Sequence, residues 1–191
     1  EQGDWQVLME SDLSKFIGYD QLESTVSIVK YREVERKGKI VYHVVLDKTP
    51  FYAESGGQVG DTGYLQDGTA KYEVIDTTKE NQLFIHTLKH LPKNIEAIFN
   101  ARVSTQKREA TQMNHSATHL LHEALREILG KHVEQRGSLV NDQYLRFDFS
   151  HFEKMSKKEL AQIEDFVNNK IDQNIALTAL DDVPIGEAKS M

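Results

Sequence analysis

The feature that most constrains this chain is a change of hydrophobic period near Ser104. Beyond it, Ala110, Met113, Ala117, Leu120, Leu121, Ala124, Leu125 and Ile128 recur at three- and four-residue spacing, the period of an amphipathic helix. The spacing predicts a helix over residues 106–129, with Gly130 placed to end it. Before Ser104 no such period is sustained. Val26, Ile28 and Val34 sit among Thr25, Tyr31 and charged residues, and Arg36-Lys37-Gly38-Lys39 turns the chain into a second apolar run over 40–46. Two such runs around a short glycine-containing turn predict a hairpin. Further runs at 72–75, 83–88 and 95–103, set apart by turn residues, extend it to a small antiparallel barrel or sandwich.

After the helix, Leu145-Arg146-Phe147-Asp148-Phe149 alternates as a half-buried strand should. Ser156-Lys157-Lys158-Glu159 is a capping box opening a second helix, with Leu160, Ile163, Val167, Ile171 and Ile175 on one side. Residues 185–191 read as an interrupted helix. The fold expected is α+β, in three parts: a lead-in over 1–20, a barrel-like subdomain over 21–104, and an α/β subdomain over 105–191. The chain begins at Glu1 and not at a methionine, which suggests a piece of something longer.

Composition narrows the function classes. With 39% apolar and 28% charged residues in 191, the chain has the balance of a globular protein. No apolar run approaches the roughly 20 residues that cross a bilayer, and no export signal opens the chain. A cytoplasmic protein without a membrane partner is expected. The absence of cysteine excludes disulfides and thiolate ligands within this stretch. A net charge of −7 argues against broad nucleic-acid binding but leaves room for contact with one RNA end.

Three stretches carry candidate chemistry. In His115-Ser116-Ala117-Thr118-His119, two histidines at i and i+4 share a helix face and suit one zinc ion. With His122 and Arg126 they form a stripe roughly opposite the apolar face, turned to solvent or to a pocket roofed by other elements. Spacing alone reads equally as a solvated polar face or as half a metal site. Ser116 stands where a metalloprotease needs glutamate. His132, His151 or a carboxylate would have to add ligands, and nothing in the spacing selects one. The second stretch, residues 51–63, holds four glycines within eight positions, a loop that either approaches something closely or turns through positive φ. It would present Gln58 and Asp61 as hydrogen-bonding groups, or simply form a tight hairpin with polar tips. It lacks the ending of a phosphate loop. The third, His132 to Val140, would bring Gln135 and Ser138 near the histidines if its strand returns along the helix. Arg146 and Asp148 share a strand face, as a structural ion pair would.

Taken together, TPFYAESGGQVGDTGYL (49–65), NHSATHLL (114–121), HVEQRGSL (132–139) and LRFDFSH (145–151) resemble the editing region of bacterial alanyl-tRNA synthetases, in the family's order and spacing. Phe16-Ile17-Gly18-Tyr19-Asp20 resembles its entry. The resemblance implies a β-barrel-like subdomain joined to an α/β subdomain shared with threonyl-tRNA synthetase. It implies zinc held by His115 and His119 with a later Cys-x-x-x-His that would lie beyond Met191, leaving the site incomplete in this chain. It raises Gln58 and Asp61 as site residues and places Thr118, Gln135 and Ser138 around the misacylated amino acid.

The activity so implied is hydrolysis of seryl- or glycyl-tRNA(Ala) in an alanine–tRNA ligase. ATP would be used by the parent protein outside this region, and the partners would be the tRNA(Ala) acceptor end and the rest of the synthetase chain. Zinc would activate water or anchor the substrate's α-amino group. Thr118 is the first choice for contact with the seryl hydroxyl, and Lys107, Arg108 and Arg136 would face the RNA strand. Two alternatives stand beside this: a free-standing deacylase acting in trans, and a catalytically silent tRNA-binding or zinc-stabilised module.

Overall fold

The computed structural model describes residues 2–10, 14–176 and 183–188. In chain order it forms β1 (Gln6–Val7), β2 (Lys15–Phe16), β3 (Glu23–Arg36), β4 (Lys39–Leu46), β5 (Lys48–Thr49), β6 (Gly63–Asp67), β7 (Ala70–Glu80), β8 (Leu83–Leu88) and β9 (Ile98–Val103). The helix α1 (Thr105–Leu129), the hairpin β10 (Gln135–Val140) and β11 (Leu145–Phe149), then α2 (Lys157–Asp172) and the short α3 (Ile185–Ala188) follow. Mixed α+β architecture is therefore observed, with antiparallel pairing dominant.

Strand β3 makes the barrel possible because its 14 residues serve two walls. Its first part pairs with β9, from Glu23↔Arg102 to Ser27↔Ile98. Its second part pairs with β4, from Ile28↔Leu46 to Arg36↔Lys39. The register slips between Ile28 and Lys30, where one extra residue sharpens the local twist and lets the strand change partners. The hydrogen-bonded order β3–β4–β8–β7–β6–β9 returns to β3, so the sheet closes and leaves no free edge between these six strands.

Inside that ring, alternate residues point to one core. Val26, Ile28, Val44, Leu46, Phe51, Leu65, Val74, Leu88, Phe99, Ala101 and Val103 form it, and each large side chain withdrawn from water contributes about 1.5–3 kcal/mol. One imidazole shares this space. His86 is fully buried; its Nδ1 lies 3.1 Å from the Val44 carbonyl and its Nε2 2.7 Å from Thr49 Oγ1. A carbonyl only accepts, so Nδ1 carries the proton and Nε2 accepts from the threonine. The Thr49 oxygen in turn accepts from the Phe51 amide at 3.0 Å. Burial drives the His86 pKa down to about 4, against a smaller upward pull from its bond to Val44.

By packing, the described residues fall into two compact units, those within 1–119 and 134–150, and those within 120–133 and 151–191. The second unit holds the expected capping box in full: Glu159 N–H donates to Ser156 Oγ at 3.2 Å, and Ser156 N–H donates to Glu159 Oε2 at 2.7 Å.

Four expectations need correction. Residues 63–67 form the strand β6, which is not among the expected runs and overlaps the glycine-rich stretch of 51–63 only at Gly63. Strand β9 starts at Ile98, later than the run from 95, because 91–97 is irregular. Met113, counted on the apolar face of α1, is 67% exposed, while Arg108, Thr111 and Thr118 on the same helix are buried. Along α2 only Ile163 of the five expected positions is buried; Leu160 and Ile171 are exposed, and Ile175 lies past the helix end at Asp172. In α1 the periodicity gives the helix and, Met113 apart, positions that are buried or half-buried; in α2 it overruns the helix end, and Leu160 and Ile171 on its apolar side stay exposed.

Candidate active site

The glycine-rich stretch builds one wall of the candidate site. Ser55 and Gln58 exchange backbone bonds, Ser55 N–H to Gln58 O at 3.1 Å and Gln58 N–H to Ser55 O at 3.0 Å. The two residues between them, Gly56 and Gly57, have φ of 59° and 84°, as the tight I′-type hairpin turn demands. Gly57 also has no room for a side chain, since a Cβ there would stand 2.7 Å from the Ser138 carbonyl oxygen. The closeness is used: Val140 N–H donates to Gly57 O at 2.7 Å and Val59 N–H donates to Val140 O at 3.0 Å. The stretch thus lies alongside β10 as a parallel segment. Gly60 completes the fit, its backbone so near β7 that a Cβ would meet Thr77 O at 1.9 Å. Both expectations for these glycines, close approach and positive φ, are met within one turn.

The start of α1 is clamped to this wall. Ser104 N–H donates to Thr62 O at 2.8 Å. One helix turn later Arg108 is buried and ion-paired with Asp61, donating also to Gly18 O at 2.7 Å and Pro50 O at 3.0 Å. Asp61 is engaged from another side by the Tyr52 amide at 2.8 Å. Arg108 therefore does not face an RNA strand, as its charge suggested; its guanidinium is consumed by one carboxylate and two carbonyls. Lys107 is exposed, and Arg136, also exposed, bridges Glu134 at 3.2 Å.

About two turns beyond Arg108, roughly 10 Å along the axis, α1 presents the histidines. His115 Nδ1 lies 2.7 Å from Gln58 Oε1, and Gln58 is only 6% exposed. The rings of His115 and His119 are stacked, 5.1 Å between centroids and 14° between planes. Partial burial, and secondarily the neighbouring His119, hold the His115 pKa below the ordinary imidazole value, which favours the neutral ring that a metal or a proton transfer requires. Thr118 is buried and donates its hydroxyl proton to Asn114 O at 2.8 Å. The Asn114 side chain reaches across to Asn141 O, also at 2.8 Å, tying the helix to the β10–β11 connection.

The structure thus brings Gln58, His115 and His119 together, with Ser138 touching the glycine turn through its backbone; Thr118 lies on the same helix with its hydroxyl bonded to Asn114 O. Asp61 sits at the base of the loop, engaged by Arg108. Gln135 is exposed at the irregular start of β10. His132 and His151 meet each other in the second unit, Nε2 to Nδ1 at 2.9 Å. Arg146 and Asp148 form the expected ion pair at 3.1 Å on the surface. Asn114 and Thr111 were not singled out from sequence. Thr111 lies four residues before His115 on the same face, so a polar stripe read upstream from the histidines would have included it.

As a donor set, two imidazoles one turn apart fit half of a tetrahedral zinc site. Among the described residues no group of three or more His, Cys, Asp or Glu is arranged to hold a metal ion.

The sequence profile of the tRNA synthetases class II (A) matches residues 2–110, which is the barrel and the clamped start of α1. The chain is 53% identical over 191 residues to an alanine–tRNA ligase of Cytophaga hutchinsonii, covering 100% of this chain and 22% of that protein. It is 55% identical over the same length to one from Bacteroides fragilis, with the same coverage. Against one from Flavobacterium psychrophilum it is 50% identical over 195 residues, covering 97% of this chain and 22% of the relative. The chain spans about a fifth of the length of the relatives it matches.

Proposed function

Since this chain belongs to the class II (A) tRNA synthetases, we propose that it is the editing region of an alanine–tRNA ligase, hydrolysing tRNA(Ala) mischarged with serine or glycine. The observation that carries this reading is the meeting of the glycine turn and the histidine helix, with Gln58 2.7 Å from His115. It joins, in one place, the two stretches that resemble the family's editing site. Identity above 50% to ligases named for alanine supports the choice of tRNA. The ligase reaction with ATP belongs to other parts of the longer cytoplasmic protein. In the same reading residues 21–104 are the barrel-like subdomain and 105–191 the editing subdomain.

The chemistry is cleavage of the ester between the amino acid and the 3′-terminal adenosine. His115 and His119 would hold zinc together with ligands from outside this chain, and the ion would supply positive charge for activating water or for anchoring the substrate's amine. Selection falls to Thr118. Its proton is committed to Asn114 O, so its oxygen is left as an acceptor and matches the hydroxyl of a seryl group. An alanyl methyl offers no donor and would leave that buried oxygen unpaired, a stronger basis for rejection than size. Ser138 and Gln135 line the approach from β10.

The test is hydrolysis of seryl-tRNA(Ala) by the longer ligase and its His119→Ala variant, with alanine charging followed in parallel. Loss of hydrolysis with charging intact is expected. Unchanged hydrolysis would remove the editing site from this helix.

A further inference from the structure

A buried amide side chain costs free energy unless it is hydrogen-bonded, and here the backbone is shaped to place one. Gln58 follows two glycines with positive φ and sits in a segment bonded on either side to Val140. What that placement achieves is a single contact to a histidine nitrogen at 2.7 Å. We propose that Gln58 is a positioning residue: its side-chain carbonyl accepts a hydrogen bond from His115 Nδ1–H, which keeps the ring proton on Nδ1 and leaves Nε2 as the bare lone pair, the nitrogen available as a ligand. An amide oxygen has no proton to give, so the hydrogen lies on Nδ1. A neutral imidazole carries one N–H, and the bond made by one nitrogen therefore fixes the role of the other. Histidine ligands are oriented in this way by outer partners, whose loss weakens metal binding about 10–100-fold. The purpose assigned to the bare nitrogen rests on the editing reading; the tautomer does not.

The first test is made on the full chain without metal, at a pH where the ring is neutral, by long-range ¹H–¹⁵N correlation. His115 is expected to show a protonated Nδ1 and an unprotonated Nε2. The reverse tautomer in the wild type overturns the proposal without any variant. Gln58→Met keeps the bulk and removes the acceptor, and should release His115 into mixed tautomers; Gln58→Glu keeps the acceptor and should hold Nδ1–H. The second test is zinc affinity of the longer ligase. A fall of about 10–100-fold in Gln58→Met with retention in Gln58→Glu is expected, and equal affinity in both overturns the positioning role. Neither readout involves tRNA. If the tautomer and the affinity change appear while seryl-tRNA(Ala) is left intact by the wild type, the positioning role stands and the editing reading falls.

Discussion

His86 and His115 are both held below the ordinary imidazole pKa, with burial the larger cause in each, yet their surroundings differ in completeness. In the barrel, both nitrogens of His86 have protein partners, Val44 O and Thr49 Oγ1, and the ring is sealed from solvent. On α1, His115 has a partner on Nδ1, is partly exposed, and stacks on a second imidazole that is itself exposed. The first is a polar group solved internally, so its energetics belong to folding. The second is solved on one side only, and that is how a site differs from a core. The same contrast separates the two ends of the clamped helix segment: Arg108 is closed by Asp61, Gly18 and Pro50, while His119 contributes an exposed ring.

The largest effect that could break this contrast is at Arg108. Arg108→Met leaves the Asp61 carboxylate buried without its partner, and stability should fall by about 3–5 kcal/mol, read as a shift in urea midpoint. A change below about 1 kcal/mol would mean that the closed end of the helix is not closed energetically. Next comes the pH response of His86. Its folded pKa of about 4 lies below the unfolded value of about 6.5, so the unfolded chain takes up the proton first as pH falls. Stability is full above pH 6.5 and should drop through the window down to about 4, by about 3 kcal/mol for this group. In His86→Gln that part of the slope should vanish; an unchanged slope would assign it elsewhere. The smallest effect sharpens the open side: His119→Ala should change stability by no more than about 0.5 kcal/mol, as an exposed substitution does. A loss of several kcal/mol would make the histidine pair part of the core.

Much of the fold was legible in the sequence where the information is local. The Lys37-Gly38 turn between β3 and β4, the span of α1, the alternation of β11 and the Ser156–Glu159 box all depend on neighbours within a few residues. What escaped depends on distant partners. Strand β6 begins at a glycine because its backbone passes against Arg102 O, and its five residues are paired by β7 and β9, not marked by a pattern of their own. The buried face of the first part of α1 is polar because its receptor is a carboxylate and two carbonyls, which no hydrophobic period reveals. At the site, residue identity and spacing pointed to His115, His119 and Gln58 separately. That Gln58 meets His115 follows from a turn pressed against β10, where Gly57 meets Ser138 and Val140 far along the chain, and only the three-dimensional arrangement supplies it.

The measurement that bears most directly on the account sets the two histidines against each other in the longer ligase. His115→Ala and His86→Gln would be compared for hydrolysis of seryl-tRNA(Ala), at a temperature where unfolding curves place both variants fully folded. The account predicts that His115→Ala loses hydrolysis while His86→Gln, though less stable, retains it. Retention in His115→Ala, or equal loss in both, would contradict the assignment of the open imidazole to chemistry and the closed one to the core.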